Sequence, residues 1–173
     1  MKIDTSKLTL KKLDSDIIPT LLEIQEEAFK AQGGSPDFLR RNTKETFSVC
    51  FSDNSLVLGV FFDGEIVGFG ILLDAKDTSE NLAKDVDMIS DLMISANVKL
   101  IIVRPKFRGN GIQRILIDKL SEHAKNVGFE WLCTTVSPVN SWSLDNFIKS
   151  GFIEHKRLEK YGGLSRILLC KKI

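Results

Sequence analysis

The sequence predicts a mixed α/β fold with a parallel strand–helix–strand unit at its middle. Three observations carry this. Two Val-, Ile- and Phe-rich runs, Leu56 to Phe62 and Glu65 to Leu73, are joined by Asp63-Gly64, a dipeptide that turns two-residue hairpins. An apolar stripe at helical spacing (Ile112, Ile115, Leu116, Leu120, Ala124) lies between two short apolar runs, Val98 to Val103 and Trp131 to Val136. A second hairpin, Phe152 to Tyr161 and Ser165 to Lys172, is turned by Gly162-Gly163.

The remaining elements fall into order around these. Leu8 to Leu13 reads as a strand. Asp14 or Ser15 caps a helix reaching about Gln32, with Ile17, Leu21, Leu22, Ile24, Ala28 and Phe29 on one face, and Gly33-Gly34 stops it. Pro36 to Phe51 reads as a second helical stretch. It is interrupted at Asn42-Thr43-Lys44-Glu45, which looks like an internal N-cap with a carboxylate at its third position. Ser79 to Ser95 carries Leu82, Val86, Ile89, Leu92 and Met93 and predicts a helix. Gly128 ends the helix that Gly111 opens. Asn140 or Ser141 opens a short helix that Gly151 closes. A chain of 173 residues with no linker or repeat suits one domain, residues 1–173.

Composition narrows the function. A net charge of +1 argues against a partner that is duplex DNA or an anionic membrane, since either needs a broad basic face. Cys50, Cys133 and Cys170 sit among apolar neighbours and read as buried reduced thiols; His123 and His155 lie too far apart to suggest a metal site. Met1 to Thr5 has no apolar run of the secretory kind, and no apolar run approaches the roughly 20 residues of a membrane span. The expected setting is the cytoplasm.

The chemistry concentrates in Val103-Arg104-Pro105-Lys106-Phe107-Arg108-Gly109-Asn110-Gly111-Ile112-Gln113, which leaves a strand and opens a helix. A helix N-terminus offers unpaired N–H groups and the positive end of a dipole. Two glycines let a bulky anion reach that backbone. From Val98 to Asn126 seven bases stand against two acids, a local charge of +5. This pattern suits a pyrophosphate. It lacks the Gly-Lys-Ser/Thr ending of a P-loop and the full Gly-x-Gly-x-x-Gly of a dinucleotide fold.

At these residues the sequence resembles the GNAT N-acetyltransferases. Their loop reads Arg/Gln-x-x-Gly-x-Gly/Ala after a strand ending Val-x-Pro, and Arg108 to Gln113 follow Val103-Arg104-Pro105 in that way. Gln113 departs from the family's small residue, so its side chain must point away from the phosphates. A second family motif, Asn-x-x-Ala-x-x-x-Tyr-x-x-x-Gly-Phe, is matched by Asn140, Ser143, Phe147, Gly151 and Phe152. The resemblance covers roughly the whole chain and is best from Val98 onward.

The resemblance implies a GNAT-like mixed, mostly antiparallel sheet with a central strand–helix–strand unit and flanking helices. It implies acetyl-CoA, or another acyl-CoA, as co-substrate and a small-molecule or peptide amine as acceptor, attacked directly, in a monomer or homodimer. The strands ending at Val103 and Val136 would splay, and the pantetheine arm would lie between them against the backbone of Ile101, Ile102 and Val103. Arg108, Gly109, Asn110, Gly111, Ile112 and Gln113 would hold the pyrophosphate. Asn140, with Ser143 and Phe147 on the same helix, would meet the pantetheine, and Asn140 serves equally as a helix N-cap. An N–H near Val103 would polarise the thioester carbonyl.

Two family features are missing. The strand before the loop carries Lys99 where many members place a glutamate, and Phe147 replaces the tyrosine that protonates the departing thiolate. An amine with pKa ~10 is only about one part in a thousand neutral at pH 7, so a missing base matters. The acidic segment Asp74 to Asp91 could attract a cation but reads first as a solvated face. Tyr161, the sole tyrosine, is the candidate acid, set against a simple turn-flanking aromatic. These gaps leave a rival reading, a non-catalytic acyl-CoA-binding sensor or scaffold. A third, a nucleotide-phosphate-binding protein of another fold, predicts that ATP or NAD competes with CoA.

Overall fold

A computed structural model describes residues 1–173. Seven strands form one sheet: β1 (Thr9–Lys12), β2 (Leu56–Phe62), β3 (Glu65–Leu73), β4 (Ser95–Val103), β5 (Trp131–Val136), β6 (Ile153–Lys160) and β7 (Leu164–Lys172). Their order is β1-β2-β3-β4-β5-β7-β6, and only β4 and β5 run parallel. Four helices accompany it: α1 (Ile18–Ala31), α2 (Lys44–Ser48), α3 (Ile112–Asn126) and α4 (Ser141–Lys149).

Both hairpins and α3 stand where periodicity puts them. Helices α3 and α4 cover one face of the sheet, with Ile112, Leu116, Ile117, Leu120 and Ala124 buried under β2 to β5. Helices α1 and α2 cover the other face, where Phe47 meets Phe69 edge-on at 6.2 Å. Pro19 sits in the first turn of α1, where its missing N–H costs nothing, after a 3-10 turn over Ser15–Ile17. Gly33 and Gly34, both left-handed, end that helix.

Two predicted helices do not form as drawn. Of Pro36 to Phe51 only α2 and one 3-10 turn are helical. The buried side chain of Gln25 bonds both backbone groups of Asn42, accepting its N–H at 2.7 Å and donating to its carbonyl at 2.9 Å. That pins residues 36–42 as a strap without helix, a hydrogen-bonded turn at 36–38 followed by irregular chain. Thr43 does cap α2, but its reciprocal partner is Thr46 rather than a carboxylate.

Ser79 to Ser95 is likewise two 3-10 turns, Leu82–Asp85 and Leu92–Ile94. Buried Asn81 donates to the carbonyls of Lys76 and Leu92 and accepts from Ala83, while Asn97 accepts from Leu82 and donates to the Glu80 carbonyl at 2.6 Å. Side-chain amides thus take the backbone partners a helix would have used. The apolar stripe is real core all the same: Leu82, Val86 and Ile89 pack on Cys133, Leu168 and Cys170.

The decisive irregularity lies in β4. Ile71 pairs with Leu100, but Leu72 pairs with Val98, so Lys99 is an extra residue, a β-bulge. The bulge switches the facing of the strand. Ala96 and Val98 point to the α3 side, Leu100 and Ile102 to the α1 side. Pairing of β4 with β5 stops at Asn97–Cys133, just before it. Beyond that point the strands part, and the Thr134 hydroxyl donates to the Val98 carbonyl at 2.9 Å at the fork.

Gly68 lets β3 hold the parting strand. A Cβ there would stand 2.8 Å from the Ile102 carbonyl oxygen and 3.3 Å from the Val103 Cα, and backbone cannot step aside as a side chain can. Gly68→Ala is expected to cost ~1–3 kcal/mol, which lowers the melting temperature by several degrees. An unchanged thermal melt would show that β4 is free to shift.

Candidate active site

The fork between β4 and β5 is the mouth of a cleft of about 730 Å³, a size that suits a small-molecule ligand. It runs from the N-terminus of α3, past the outer end of β4, to α4. At the apex of the fork it meets a smaller chamber of about 130 Å³. Ile101, Gln113, Asn140 and Ser143 line both.

At the outer end Gly109 (φ 78°) and Gly111 (φ 74°) are left-handed, and a Cβ on either would meet nothing within 4 Å. Their bare backbone therefore faces open space. Gly111 is the N-cap of the 15-residue α3 and has no side chain with which to cap it. The first amides of α3 are left to an outside acceptor, and the dipole favours an anion there.

The charges around this cradle are fewer than the sequence suggests. Arg104 is bound to Glu27 and, at 3.3 Å, to Glu23, and Lys106 lies 3.9 Å from Glu65. Of the three bases in the loop only Arg108 has no carboxylate within 4.0 Å. Its Nε donates to the Val103 carbonyl at 3.4 Å, on the cleft side. Desolvation lowers its pKa and Glu27 opposes this, but a guanidinium stays charged at any working pH.

Alternation along β4 decides which backbone groups the cleft receives. Arg104 donates to the Val67 carbonyl at 2.9 Å, which makes Ile102 and Phe69 the next hydrogen-bonded pair inward. The N–H and C=O of Ile102 are therefore spent on β3. Those of Ile101 and Val103 point to the open edge, into the cleft. Val103 lies beside the loop, whereas Ile101 lies at the junction with the apex chamber.

Most of the predicted residues come together. Ile101, Ile102, Val103, Arg108, Gly109, Gly111, Ile112, Gln113, Asn140 and Ser143 line the cleft, and Phe147 and Tyr161 line the chamber. The Asn110 side chain does not. It accepts from the Ile3 N–H at 3.2 Å and donates to the carbonyls of Met1 and Phe107, so it braces the loop from behind. Gln113 points away from the α3 N-terminus, donating to the Ser143 hydroxyl at 2.8 Å and accepting from Asn146 at 2.9 Å, and thereby ties α3 to α4. Asn140 caps α4 by accepting from the Ser143 N–H at 3.1 Å and still lines the cleft. Phe147 is buried edge-on to Phe152, with ring centroids 5.1 Å apart.

Tyr161 is held with care. Its backbone is left-handed (φ 56°), a strained state for a tyrosine. Its ring lies under the Arg40 guanidinium at 4.2 Å, and its hydroxyl meets that of Thr135 at 3.1 Å.

Several chamber residues were not singled out from sequence, where Glu80 is only one of the acids of the segment Asp74 to Asp91 that could attract a cation. Glu80 arrives from the irregular β3–β4 connection and pairs with Lys99 at 3.3 Å, so the one carboxylate lining the chamber sits beside the lysine that replaces the strand acid. Arg40 comes from the strap and Arg166 from β7. Trp142, 81% exposed on α4, flanks the cleft; a tryptophan one position into a helix, on its wet face, was the readable sign. No cysteine lines either space. Burial raises Cys50 to about 11 and Cys133 to about 12, so neither supplies a thiolate. No helix is long and apolar enough to cross a membrane.

Comparison with known proteins agrees with this geometry. The family model described as acetyltransferase (GNAT) family matches residues 18–152. Among solved structures, the ribosomal-protein-S18-alanine N-acetyltransferase of Escherichia coli superposes with a TM-score of 0.73 at 18% identity, covering 96% of this chain and 94% of that one. A GNAT superfamily phosphinothricin acetyltransferase of Sinorhizobium meliloti, solved with AcCoA, gives 0.74 at 15% identity, over 96% and 89% of the two chains. The ribosomal-protein-alanine N-acetyltransferase of Brucella melitensis gives 0.72 at 20%, over 95% and 99%. No curated protein matches by sequence. At these identities the structural likeness speaks for the fold, and the family match over most of the chain, with the loop and fork it contains, shows that this chain belongs to the GNAT acetyltransferase family.

Proposed function

We propose that the chain, as one domain over residues 1–173, transfers an acetyl group from acetyl-CoA to a primary amine by direct attack. The observation that carries this is the bulge at Lys99, which parts β4 from β5 and joins a glycine-lined anion cradle to a chamber holding one carboxylate and one phenol. Gly109, Gly111 and the first amides of α3 would take the pyrophosphate, with Arg108 adding charge. Ile101 and Val103 would pair with the pantetheine amides as a strand neighbour would.

Acetyl-CoA supplies a thioester carbonyl that a neutral amine can attack. The Ile101 N–H, at the junction of the two spaces, is better placed than that of Val103 to donate to the carbonyl oxygen as charge develops there. Glu80 would accept the proton the amine loses, by water or directly, and so fills the role of the missing strand acid. Tyr161 would donate a proton to the departing sulfur. Phe147 cannot do this, as its ring is part of the core. No cysteine lines the cleft or the chamber, so a cysteine acyl-enzyme has no nucleophile there.

The test is titration with acetyl-CoA, with CoA and ATP as controls, followed by an acetyl-transfer assay on amines. The indole of Trp142 beside the cleft is expected to report binding as a fluorescence change, absent in Trp142→Phe, with micromolar affinity and much weaker ATP binding. No acetyl-CoA binding would overturn the proposal. Binding without transfer to any amine would favour the non-catalytic sensor, to which Phe147 lends its weight.

A further inference from the structure

The charges in the apex chamber do not balance. Lys99, with 12% of its side chain exposed, is matched by Glu80 at 3.3 Å. Arg166 is only 5% exposed, and its guanidinium donates to the carbonyls of Ser165 at 2.7 Å, Asp37 at 3.1 Å and Pro36 at 3.2 Å, all neutral acceptors. Arg40 stacks on Tyr161 and, like Arg166, has no carboxylate within 4.0 Å. Two guanidiniums without an ion pair thus flank the same phenol, one of them buried, with the Asp37 carboxylate acting on Arg166 only from beyond ion-pair distance. Taking a charge out of water without a partner is costly, and an anion beside it recovers part of that cost.

The placement is also rigid. Arg166 fastens the strap at Pro36 and Asp37, and Gln25 fastens it at Asn42, so the segment bearing Arg40 is held at both ends. Guanidinium is the group suited to planar, bidentate recognition of carboxylate or phosphate. Glu80 is already paired with Lys99, so the charge left over in the chamber is the cation pole at Arg40 and Arg166.

We infer that the acceptor is an amine that also carries an anionic group, a carboxylate or a phosphate, bound by Arg40 in the field of Arg166. The inference rests on the acetyl-transfer reading of the cleft. It sets amino-acid-like acceptors against polyamines and neutral amines, which would bring charge of the wrong sign, or none, to the guanidiniums.

The test uses matched acceptors titrated calorimetrically into the CoA-saturated protein, where no acetyl group is present to transfer, and again into the protein alone. The pairs are β-alanine against β-alaninamide and O-phosphoethanolamine against ethanolamine, with putrescine as the dication. The anionic member of at least one pair is expected to bind about tenfold or more tighter than its neutral partner, the size of one hydrogen-bonded charge contact. The preferred pair names the anion. Arg40→Gln is expected to erase the preference and Arg40→Lys, which keeps the charge but not the fork, to keep only part of it, with CoA binding the same in all three proteins. Equal or tighter binding of the neutral partners or putrescine would overturn the inference, as would an unchanged preference in Arg40→Gln. Normal anion preference without any acetyl transfer would instead sink the enzyme reading, and the chamber would then be an anion-selective amine site without an acceptor role.

Discussion

Gly111→Asp is expected to weaken acetyl-CoA binding by about a hundredfold or more, equivalent to ~2.8 kcal/mol, in a protein that still folds. The backbone of Gly111 is left-handed at φ 74°, a region aspartate tolerates better than most residues, so the strain is about 1 kcal/mol. A Cβ there meets nothing within 4 Å, so the added carbon itself has room. It does place a carboxylate at the N-terminus of α3, where it would cap the amides the ligand needs and repel the phosphates. Blocking and repulsion act together, and like charges brought close can cost several kcal/mol. Gly111→Ala carries the strain without the charge and should lose far less. Calorimetric titration beside a circular dichroism melt separates binding from folding. A folded Gly111→Asp protein with unaltered affinity would place the pyrophosphate elsewhere.

Arg108→Glu reverses the one loop base without a carboxylate partner and is expected to act in the same direction. The same substitution at Arg104 would act through the fold, because Arg104 bridges α1 and the loop through Glu23 and Glu27 and also donates to the Ile66 carbonyl.

How far sequence reached follows from the range of the interactions involved. The β2–β3 hairpin and α3 are specified by residues two to four positions apart, and a periodic reading finds them. The cradle is equally local, since two glycines before a helix define it. Residues 36–42 and 79–95 were misread because their conformations are decided from afar, by Gln25 reaching Asn42 and by Asn97 reaching Glu80 and Leu82. The bulge left no trace either. Leu100 to Val103 is apolar on both faces, so a switch of facing at Lys99 changes nothing in the pattern. Since the bulge opens the cleft and the irregular connection delivers Glu80, the part of the site to which we assign the chemistry was the part least legible. Tyr161 was found only because the sequence has no other tyrosine.

Glu80→Gln is therefore the sharper trial of the mechanism, and kcat is expected to fall by ~10²–10⁴ with acetyl-CoA affinity unchanged. The obvious objection is that Glu80 merely partners Lys99, 3.3 Å away. Glu80 is about half exposed but Lys99 only 12%, so losing the pair also costs stability, by up to ~3–5 kcal/mol, and a thermal melt of the variant reads that cost apart from the rate. A loss of hundreds-fold in kcat from a protein that still folds and binds acetyl-CoA as before points to proton transfer. The pH profile gives a second reading that a structural role would not move. Without a base, turnover should climb about tenfold per pH unit through neutrality, following the neutral fraction of an amine with pKa ~10, whereas the parent enzyme should climb less steeply. Glu80→Asp, which keeps the carboxylate on a shorter arm, should recover part of the rate and the shallower profile. Lys99→Met removes the same ion pair from the other side and should cost little turnover. If instead Lys99→Met and Glu80→Gln fall together, with the same pH profile as the parent, the pair is structural, and the amine must lose its proton to solvent.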